Sequence, residues 1–193
     1  MKRRKPIFMI HKHHATHLHY DLRLEIEGTL KSWALREIPL RPDKSILAIQ
    51  VADHSFWYRH YEGVIEQGHY GAGPVMIWDK GLYSSFFNDH TGKIISPKES
   101  LKRGFLMIWL EGRKLKGGYI LVRTTKKQRW LLIKMHDAYA KDSSKKPATW
   151  KYSVKSGKTL EQIFDHEMKK KGFNKINMKK WIETAHAQKK EIV

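Results

Sequence analysis

The sequence contains no cysteine and no long apolar run, and it has half as many acidic as basic residues. The absence of cysteine excludes disulfide bonds, thiolate metal sites and a cysteine nucleophile, and it fits a cytoplasmic protein. No apolar segment approaches the roughly 20 residues that a membrane-spanning helix needs. The basic N-terminus, MKRRKPIFMI, has too short an apolar stretch for a signal peptide. We therefore expect a cytoplasmic protein that makes no contact with a membrane.

The net charge is strongly positive, with 38 Lys and Arg against 19 Asp and Glu and a formal charge of +19. A positive field of this size favours a polyanionic partner, and nucleic acid is the usual one. A solvated basic surface with no specific partner is the alternative interpretation. No segment combines a basic face with the broad Trp and Leu face that binds a membrane surface.

The 193 residues are enough for one well-buried domain with an appendage. Short segments with strand character and intervening glycines predict hairpins and a mainly β protein, as a barrel of about eight strands or a closed sandwich. The predicted strands cover residues 8–10, 18–28, 29–35, 46–54, 75–79, 105–112, 119–124 and 129–135. Residues 96–104 predict one short helix.

The composition changes near residue 141, where the chain becomes polar and rich in lysine. Residues 141–158 are typical of a linker or an extended arm. Thr159, followed by Gln162 three positions later, is an N-cap signature that predicts a short helix, and residues 178–190 predict a second one. The predicted organisation is a barrel domain over 1–140 and a basic linker with a helical tail over 141–193.

Residues 11–21, HKHHATHLHYD, hold five histidines and one aspartate. Strand alternation places His19, Asp21 and Arg23 on one polar face. His13 lies six residues before His19, and a turn between them would bring the two imidazoles together. The set His13, His19 and Asp21 is then a two-histidine, one-carboxylate metal site for Mn²⁺, Fe²⁺ or Zn²⁺. A His-rich polar surface without metal is the alternative, and His11, His14 and His17 are interpreted as supporting or surface residues.

A second polar face lies in the segment ILAIQVADH, where Gln50 and His54 share a parity with Ala52. A histidine at a strand end is either structural or catalytic. The aromatic residues that follow it, Tyr58 among them, favour an aromatic-walled pocket here. The Gly-rich stretch 61–73 lacks the Walker lysine and the strand-to-helix context of a nucleotide-binding loop, so its glycines are interpreted as turn residues.

Four blocks of the sequence occur together, in the same order, in one known family. They are KHHATHLHYDLRLEIEGTLKSWAL, LAIQVADHSFWYRHYEGVIEQGHYGAGPVMIWDKG, LKRGFLMIWLEGRKLKGGYILVR and WLLIKMHDAYA. Over roughly residues 6–140, the chain resembles the 3′-phosphoesterase module of bacterial DNA ligase D and its free-standing archaeal and bacterial relatives.

The resemblance implies a small closed β-barrel with a polar interior and a Mn²⁺-dependent active site, with Co²⁺ or Zn²⁺ as alternative metals. The implied enzyme is a hydrolase of phosphoester bonds that heals 3′ ends for non-homologous end joining. It would remove a 3′-terminal ribonucleoside and then the remaining 3′-phosphate, leaving a 3′-OH. The implied partners are DNA or RNA 3′ ends, in a primer-template, and a ligase or polymerase acting in trans.

The same resemblance assigns roles to individual residues. The metal ligands fall on His13, His19 and Asp21. Arg23 would contact phosphate, and His54 would be the essential catalytic histidine. The remaining positions would support or line the phosphate site: Tyr58, Ser32 and Gln50.

Three positions depart from the family pattern. His11 stands where the family usually has glutamine, Ala52 stands where it has glutamate, and Arg36 or Glu37 stands near the position of an expected lysine. These changes keep two other functions open: a nucleic-acid-binding barrel that has lost turnover, and a small-molecule metalloenzyme, which the charge disfavours.

Overall fold

The computed structural model describes residues 4–42, 44–88, 90–140, 147–174 and 176–187. The nine strands β1 to β9 are, in order, Ile7–His14, Leu18–Ile26, Thr29–Leu35, Ser45–Ser55, Gly63–Ile65, Gly73–Ser85, Phe105–Gly112, Lys116–Arg123 and Arg129–Lys134. The helices α1 to α3 are Pro97–Arg103, Leu160–Lys170 and Met178–Ala187. Two short 3₁₀ helices cover Phe56–His60 and Ala148–Lys151.

Eight of the strands form a closed antiparallel barrel, which confirms the predicted fold class. They pair in the order β1-β2-β3-β4-β9-β8-β7-β6, and β6 pairs with β1 to close the ring. The ninth strand, β5, pairs with the N-terminal end of β6. Each of the eight predicted segments overlaps one barrel strand, and the segments 18–28, 119–124 and 129–135 run one or two residues past the end of the strand. The short β5 was missed because three residues are too few for a recognisable alternation.

The interior of the barrel is apolar. One cluster of buried side chains contains residues from all eight barrel strands. Side chains from all eight strands can meet only inside the closed sheet, so this cluster fills the barrel. In β2, the alternating residues Tyr20, Leu22 and Leu24 belong to this cluster, beside the indoles of Trp33 and Trp130. Each such side chain contributes about 1.5–3 kcal/mol on burial. The expectation of a polar interior is therefore wrong, because the inward parity of the strands carries the apolar residues.

The helices occur where they were predicted. Helix α1 begins after the N-cap Ser96, and α2 begins after Thr159, whose side chain and that of Gln162 form the expected capping box. Helix α3 covers most of the predicted segment 178–190, of which residues 188–190 lie outside the described ranges. No helix within the described ranges is long and apolar enough to cross a membrane.

The described part of the C-terminal region packs on the barrel. The Trp150 ring meets the Trp78 ring at 5.0 Å, and the Trp78 indole N–H donates to the Trp150 carbonyl at 2.7 Å. The Val154 N–H donates to the Ile77 carbonyl, and α2 lies against β5 and β6. Residues 147–158 therefore differ from the expected linker or extended arm, because the buried Trp150 anchors them; residues 141–146 lie outside the described ranges.

Candidate active site

The polar residues of the histidine-rich stretch meet on the outer face of β1 and β2. The antiparallel register sets His13 opposite His19, and His11 opposite Asp21. Residues that pair directly across two strands project to the same face. The opposite parity, which includes Ile10 and Leu22, fills the barrel, so these polar side chains point outwards.

A cover segment, residues 56–72, shields part of this outer face from solvent. It consists of the first 3₁₀ helix, β5 and the loop that leads into β6. Two of its backbone carbonyls accept hydrogen bonds from the site: Tyr61 O lies 3.0 Å from His11 Nε2, and Gly71 O lies 2.8 Å from His13 Nε2. Beneath it, His11 has no exposed surface and Arg23 is only 3% exposed.

The structure brings His13, His19 and Asp21 together. Each offers one ligand atom, and these atoms all lie within 4.8 Å of one another. The nearest approach of His19 Nε2 to Asp21 Oδ1 is 3.9 Å. Two imidazole nitrogens and one carboxylate oxygen are a donor set that suits Mn²⁺, Fe²⁺ or Zn²⁺.

Backbone carbonyls orient both imidazoles of this cluster. Because a carbonyl only accepts, His13 must donate its Nε2–H to Gly71 O, which leaves the Nδ1 lone pair for a ligand. By the same argument His19 donates Nδ1–H to the His17 carbonyl at 2.9 Å, which leaves Nε2. Burial, followed by the charge of His19, lowers the pKa of His13 to about 4. At neutral pH His13 is therefore in the neutral form that binds a metal.

Arg23 connects the cluster to the rest of the site. Its Nε–H donates to His11 Nδ1 at 3.0 Å, and its Nη2 donates to Asp21 Oδ2 at 3.1 Å. Its Nη1 donates to Ser32 Oγ and to His54 Nδ1, both at 2.8 Å. These bonds use four of the five guanidinium N–H groups and leave one on Nη2, beside Asp21.

His54 joins the site through a β-bulge. The register between β3 and β4 pairs Trp33 with Gln50 and Leu30 with His54, and it shifts between these two pairs. Because Trp33 faces the interior and Leu30 faces outwards, the bulge turns His54 to the outer face beside Arg23. Arg23 can only donate, so His54 Nδ1 accepts and the proton of the neutral imidazole sits on Nε2. Burial, with Arg23 next in effect, lowers the pKa of His54 and favours this neutral form.

Tyr58 closes the site from the cover segment. Its ring lies 5.0 Å from Arg23 Cζ and 4.9 Å from the His54 ring. Burial raises the pKa of Tyr58 to about 12, so its hydroxyl is protonated at neutral pH. A protonated phenol is a hydrogen-bond donor, which suits a neighbour of phosphate.

Two of the residues predicted from the sequence to line the phosphate site have other roles in the structure. Ser32 is fully buried behind Arg23, from which it accepts a hydrogen bond, and its hydroxyl donates to the Leu30 carbonyl at 3.0 Å. It has no exposed surface to offer a ligand. Gln50 faces the interior, where its Oε1 accepts from the Trp130 indole at 2.9 Å. The expected shared face of Gln50 and His54 is wrong because the bulge separates them.

The positions that depart from the family pattern fall into two groups. His11 lies at the centre of the site, as the partner of Arg23. Ala52 is exposed on β4, and Glu37 is partly exposed and pairs with Lys44 at 2.7 Å. The side chains of Ala52 and Glu37 therefore lie outside the buried hydrogen-bond network, and of the three only the His11 side chain belongs to it.

Sequence reasoning interpreted His11 only as a supporting or surface residue, and it missed the backbone carbonyls that orient the imidazoles. His11 has the same strand parity as His13, and this signal was sufficient to place it on the same face. The carbonyls of Tyr61 and Gly71 carry no side-chain signal, because any residue supplies a carbonyl.

Fold and site together define a closed β-barrel with a two-histidine, one-carboxylate cluster and a buried Arg–His pair on its outer face. The family described as the DNA ligase D 3′-phosphoesterase domain matches residues 11–123. This match covers more than half of the chain, and the chain belongs to that family.

Curated relatives agree with this assignment. The chain is 44% identical over 138 residues to the multifunctional non-homologous end joining protein LigD of Pseudomonas aeruginosa, a match that covers 69% of the chain and 16% of the relative. It is 41% identical over 128 residues to the multifunctional non-homologous end joining DNA repair protein LigD of Mycobacterium tuberculosis, covering 64% of the chain and 15% of the relative. The matched part is thus only about a sixth of the length of these relatives.

Proposed function

We propose that this chain is a metal-dependent 3′-phosphoesterase that heals DNA or RNA 3′ ends for repair. It would remove a 3′-terminal ribonucleoside as a phosphodiesterase and a 3′-phosphate as a phosphomonoesterase, leaving a 3′-OH. The observation that carries the proposal is the convergence of the cluster His13, His19 and Asp21 with the pair Arg23 and His54 on one face. Membership of the 3′-phosphoesterase family supports the same chemistry.

The donor set fits Mn²⁺, and it also fits Co²⁺ or Zn²⁺. The carbonyls of Gly71 and His17 orient the two imidazoles, while Asp21 keeps Oδ1 towards the cluster and accepts from Arg23 at Oδ2. A bound metal would neutralise phosphate oxygens as a Lewis acid.

The chain's own residues then bind and orient the phosphoryl group. The remaining Nη2–H of Arg23 lies beside Asp21 and would donate to an equatorial phosphate oxygen. His54, with its proton held on Nε2, would donate it to the leaving oxygen. Tyr58 would contribute its phenol as a third donor. The burial of these groups makes each interaction stronger than it would be in water.

The net positive charge and the proposed 3′-OH product indicate which molecules this chain acts with. A net charge of +19 supports binding to the phosphates of a nucleic-acid backbone. A 3′-OH end is what a ligase or polymerase consumes, so we place such an enzyme after this one. The relatives' names associate them with non-homologous end joining, and we propose the same pathway for this chain.

The test is a 5′-labelled primer-template that ends in one ribonucleotide or in a 3′-phosphate, incubated with Mn²⁺. We expect conversion to a 3′-OH end, no conversion in EDTA, and none with His13→Ala or Asp21→Ala. His17→Ala is the matched control, because it removes an exposed imidazole and keeps the carbonyl that orients His19. Wild-type turnover by either ligand variant would contradict the assignment. Tight primer binding without product would instead identify a nucleic-acid-binding barrel.

A further inference from the structure

An open groove runs along the cover segment beside the candidate active site. Its volume is about 570 Å³, within the usual range for a small-molecule site. We call it the tyrosine groove, and its lining residues are Tyr58, Tyr61, Val64, Ile65, Glu66, His69 and Tyr70.

The tyrosine groove adjoins the residues assigned to phosphate and metal. Its lining residue Tyr58 packs against Arg23 and His54. Its lining residue Tyr70 precedes Gly71 in the chain, and the Gly71 carbonyl holds the His13 imidazole. A nucleotide with its phosphate at the site would therefore place its sugar and base next to this groove.

The chemistry of the lining residues indicates which part of a nucleotide the groove binds. The lining contains no lysine or arginine, and its one carboxylate, Glu66, is paired with Lys171. The Lys171 ammonium at the groove is already paired with Glu66, and the lining itself supplies no further lysine or arginine to a phosphate. Tyrosine rings dominate the lining instead. Tyr58 lies between Arg23 and Tyr61, on which it stacks at 4.9 Å with an interplanar angle of 14°, and Tyr70 is 92% exposed and presents its ring at the rim. Flat, neutral rings are what such a lining binds.

We propose that the tyrosine groove binds the nucleobase of the nucleotide that carries the scissile phosphate. The base stacks on the tyrosines, with Tyr70 as the outer contact. This inference rests on the proposed function and adds a substrate requirement to it. A base can enter the groove only after it has left the helical stack, so the enzyme acts on a single unstacked 3′ nucleotide and reads it without sequence preference.

The first experiment combines a substitution in the protein with a change in the substrate. Wild type and Tyr70→Ala are assayed on a 3′-phosphate primer whose last nucleotide either carries its base or is abasic. Base stacking on one aromatic residue is expected to be worth about ten- to a hundredfold in kcat/KM. We expect Tyr70→Ala and the abasic substrate each to reduce kcat/KM by this factor. Combined, they should reduce kcat/KM no further than either change does alone. Tyr139→Ala, which removes an exposed tyrosine outside the groove, should leave both substrates unchanged.

A second measurement does not depend on turnover. A primer with 2-aminopurine as its last nucleotide and a 3′-OH end cannot be processed further, and stacking on tyrosine quenches its fluorescence. We expect quenching by wild type and Tyr139→Ala and its loss with Tyr70→Ala. Equal losses of kcat/KM on the base-containing and abasic primers, or unchanged quenching with Tyr70→Ala, would overturn the proposal. Absence of turnover in wild type with quenching retained would refute the proposed function and leave the base site standing.

Discussion

Replacing Arg23 with lysine tests the buried network most directly. The guanidinium donates to four acceptors in different directions: His11 Nδ1, Asp21 Oδ2, Ser32 Oγ and His54 Nδ1. Lysine keeps the positive charge but concentrates its donors on one nitrogen, which cannot reach all four acceptors. We expect at least two of them to lose their partner.

The size of the effect follows from the burial of these acceptors. His11 and Ser32 have no exposed surface, so water cannot replace the missing donor. An unsatisfied buried polar group costs about 1–3 kcal/mol, and two such groups give roughly 2–6 kcal/mol of lost stability. Domains of this kind have about 5–15 kcal/mol in total, so a folded but weakened protein is expected. Turnover should fall about a hundredfold or more, because His54 also loses the donor that places its proton on Nε2.

Urea unfolding and single-turnover assays on a 3′-phosphate primer measure the two effects separately. Arg103→Lys is the matched control, since Arg103 is exposed and its only hydrogen bond among the described contacts goes to Glu99 at 3.1 Å. That variant should stay within about 0.5 kcal/mol of wild type. Arg23→Lys with wild-type stability and turnover would refute the network as the basis of the site.

Three further predictions concern metal, the C-terminal region and pH. Mn²⁺ at about 100 times its Kd should raise the free energy of unfolding of the wild type by about 2.7 kcal/mol. His17→Ala should show the same rise and His19→Ala should not. An equal rise in His19→Ala would exclude His19 as a ligand. Deletion of 141–193 should prevent stable folding, because the region contributes three side chains to the main core cluster, Trp150, Leu160 and Ile163, worth roughly 4.5–9 kcal/mol together. A stable, active 1–140 fragment would contradict this. Burial lowers the pKa of Lys114 to about 8. The folded state therefore loses this proton at a lower pH than the unfolded state does. The free energy of unfolding should accordingly increase as the pH rises from about 8 towards the ordinary pKa of lysine. Unfolding curves of Lys114→Met should lack this contribution, and an unchanged pH profile would count against it.

Strand alternation carried most of the fold prediction. In β2, apolar and polar residues alternate without interruption, which identified both the strand and its two faces. Alternation gives two faces without saying which one a closed sheet encloses. The large aromatic residues settle this, because Trp33, Trp78 and Trp130 fit only where several strands can surround them.

The site was predictable where it depends on side chains along one strand. His19, Asp21 and Arg23 share a face by parity alone, and the structure agrees. The placement of Gln50 failed because parity holds only while the ladder is regular. The β-bulge between the Trp33 and Leu30 pairs reverses it, and nothing in the local sequence marks that extra residue.

The histidine at position 11 explains how the site tolerates a departure from its family. Neutral imidazole and a glutamine amide both carry an acceptor atom and a donor atom that are separated by one carbon. His11 uses its acceptor for Arg23 and its donor for the Tyr61 carbonyl. Burial, with Arg23 next in effect, lowers the pKa of His11 well below its ordinary value, so it stays uncharged beside the guanidinium. A charged imidazole would have lost the acceptor and repelled Arg23. The substitution thus preserves the hydrogen bonds that hold Arg23 in place, which favours an active enzyme over a barrel that has lost turnover.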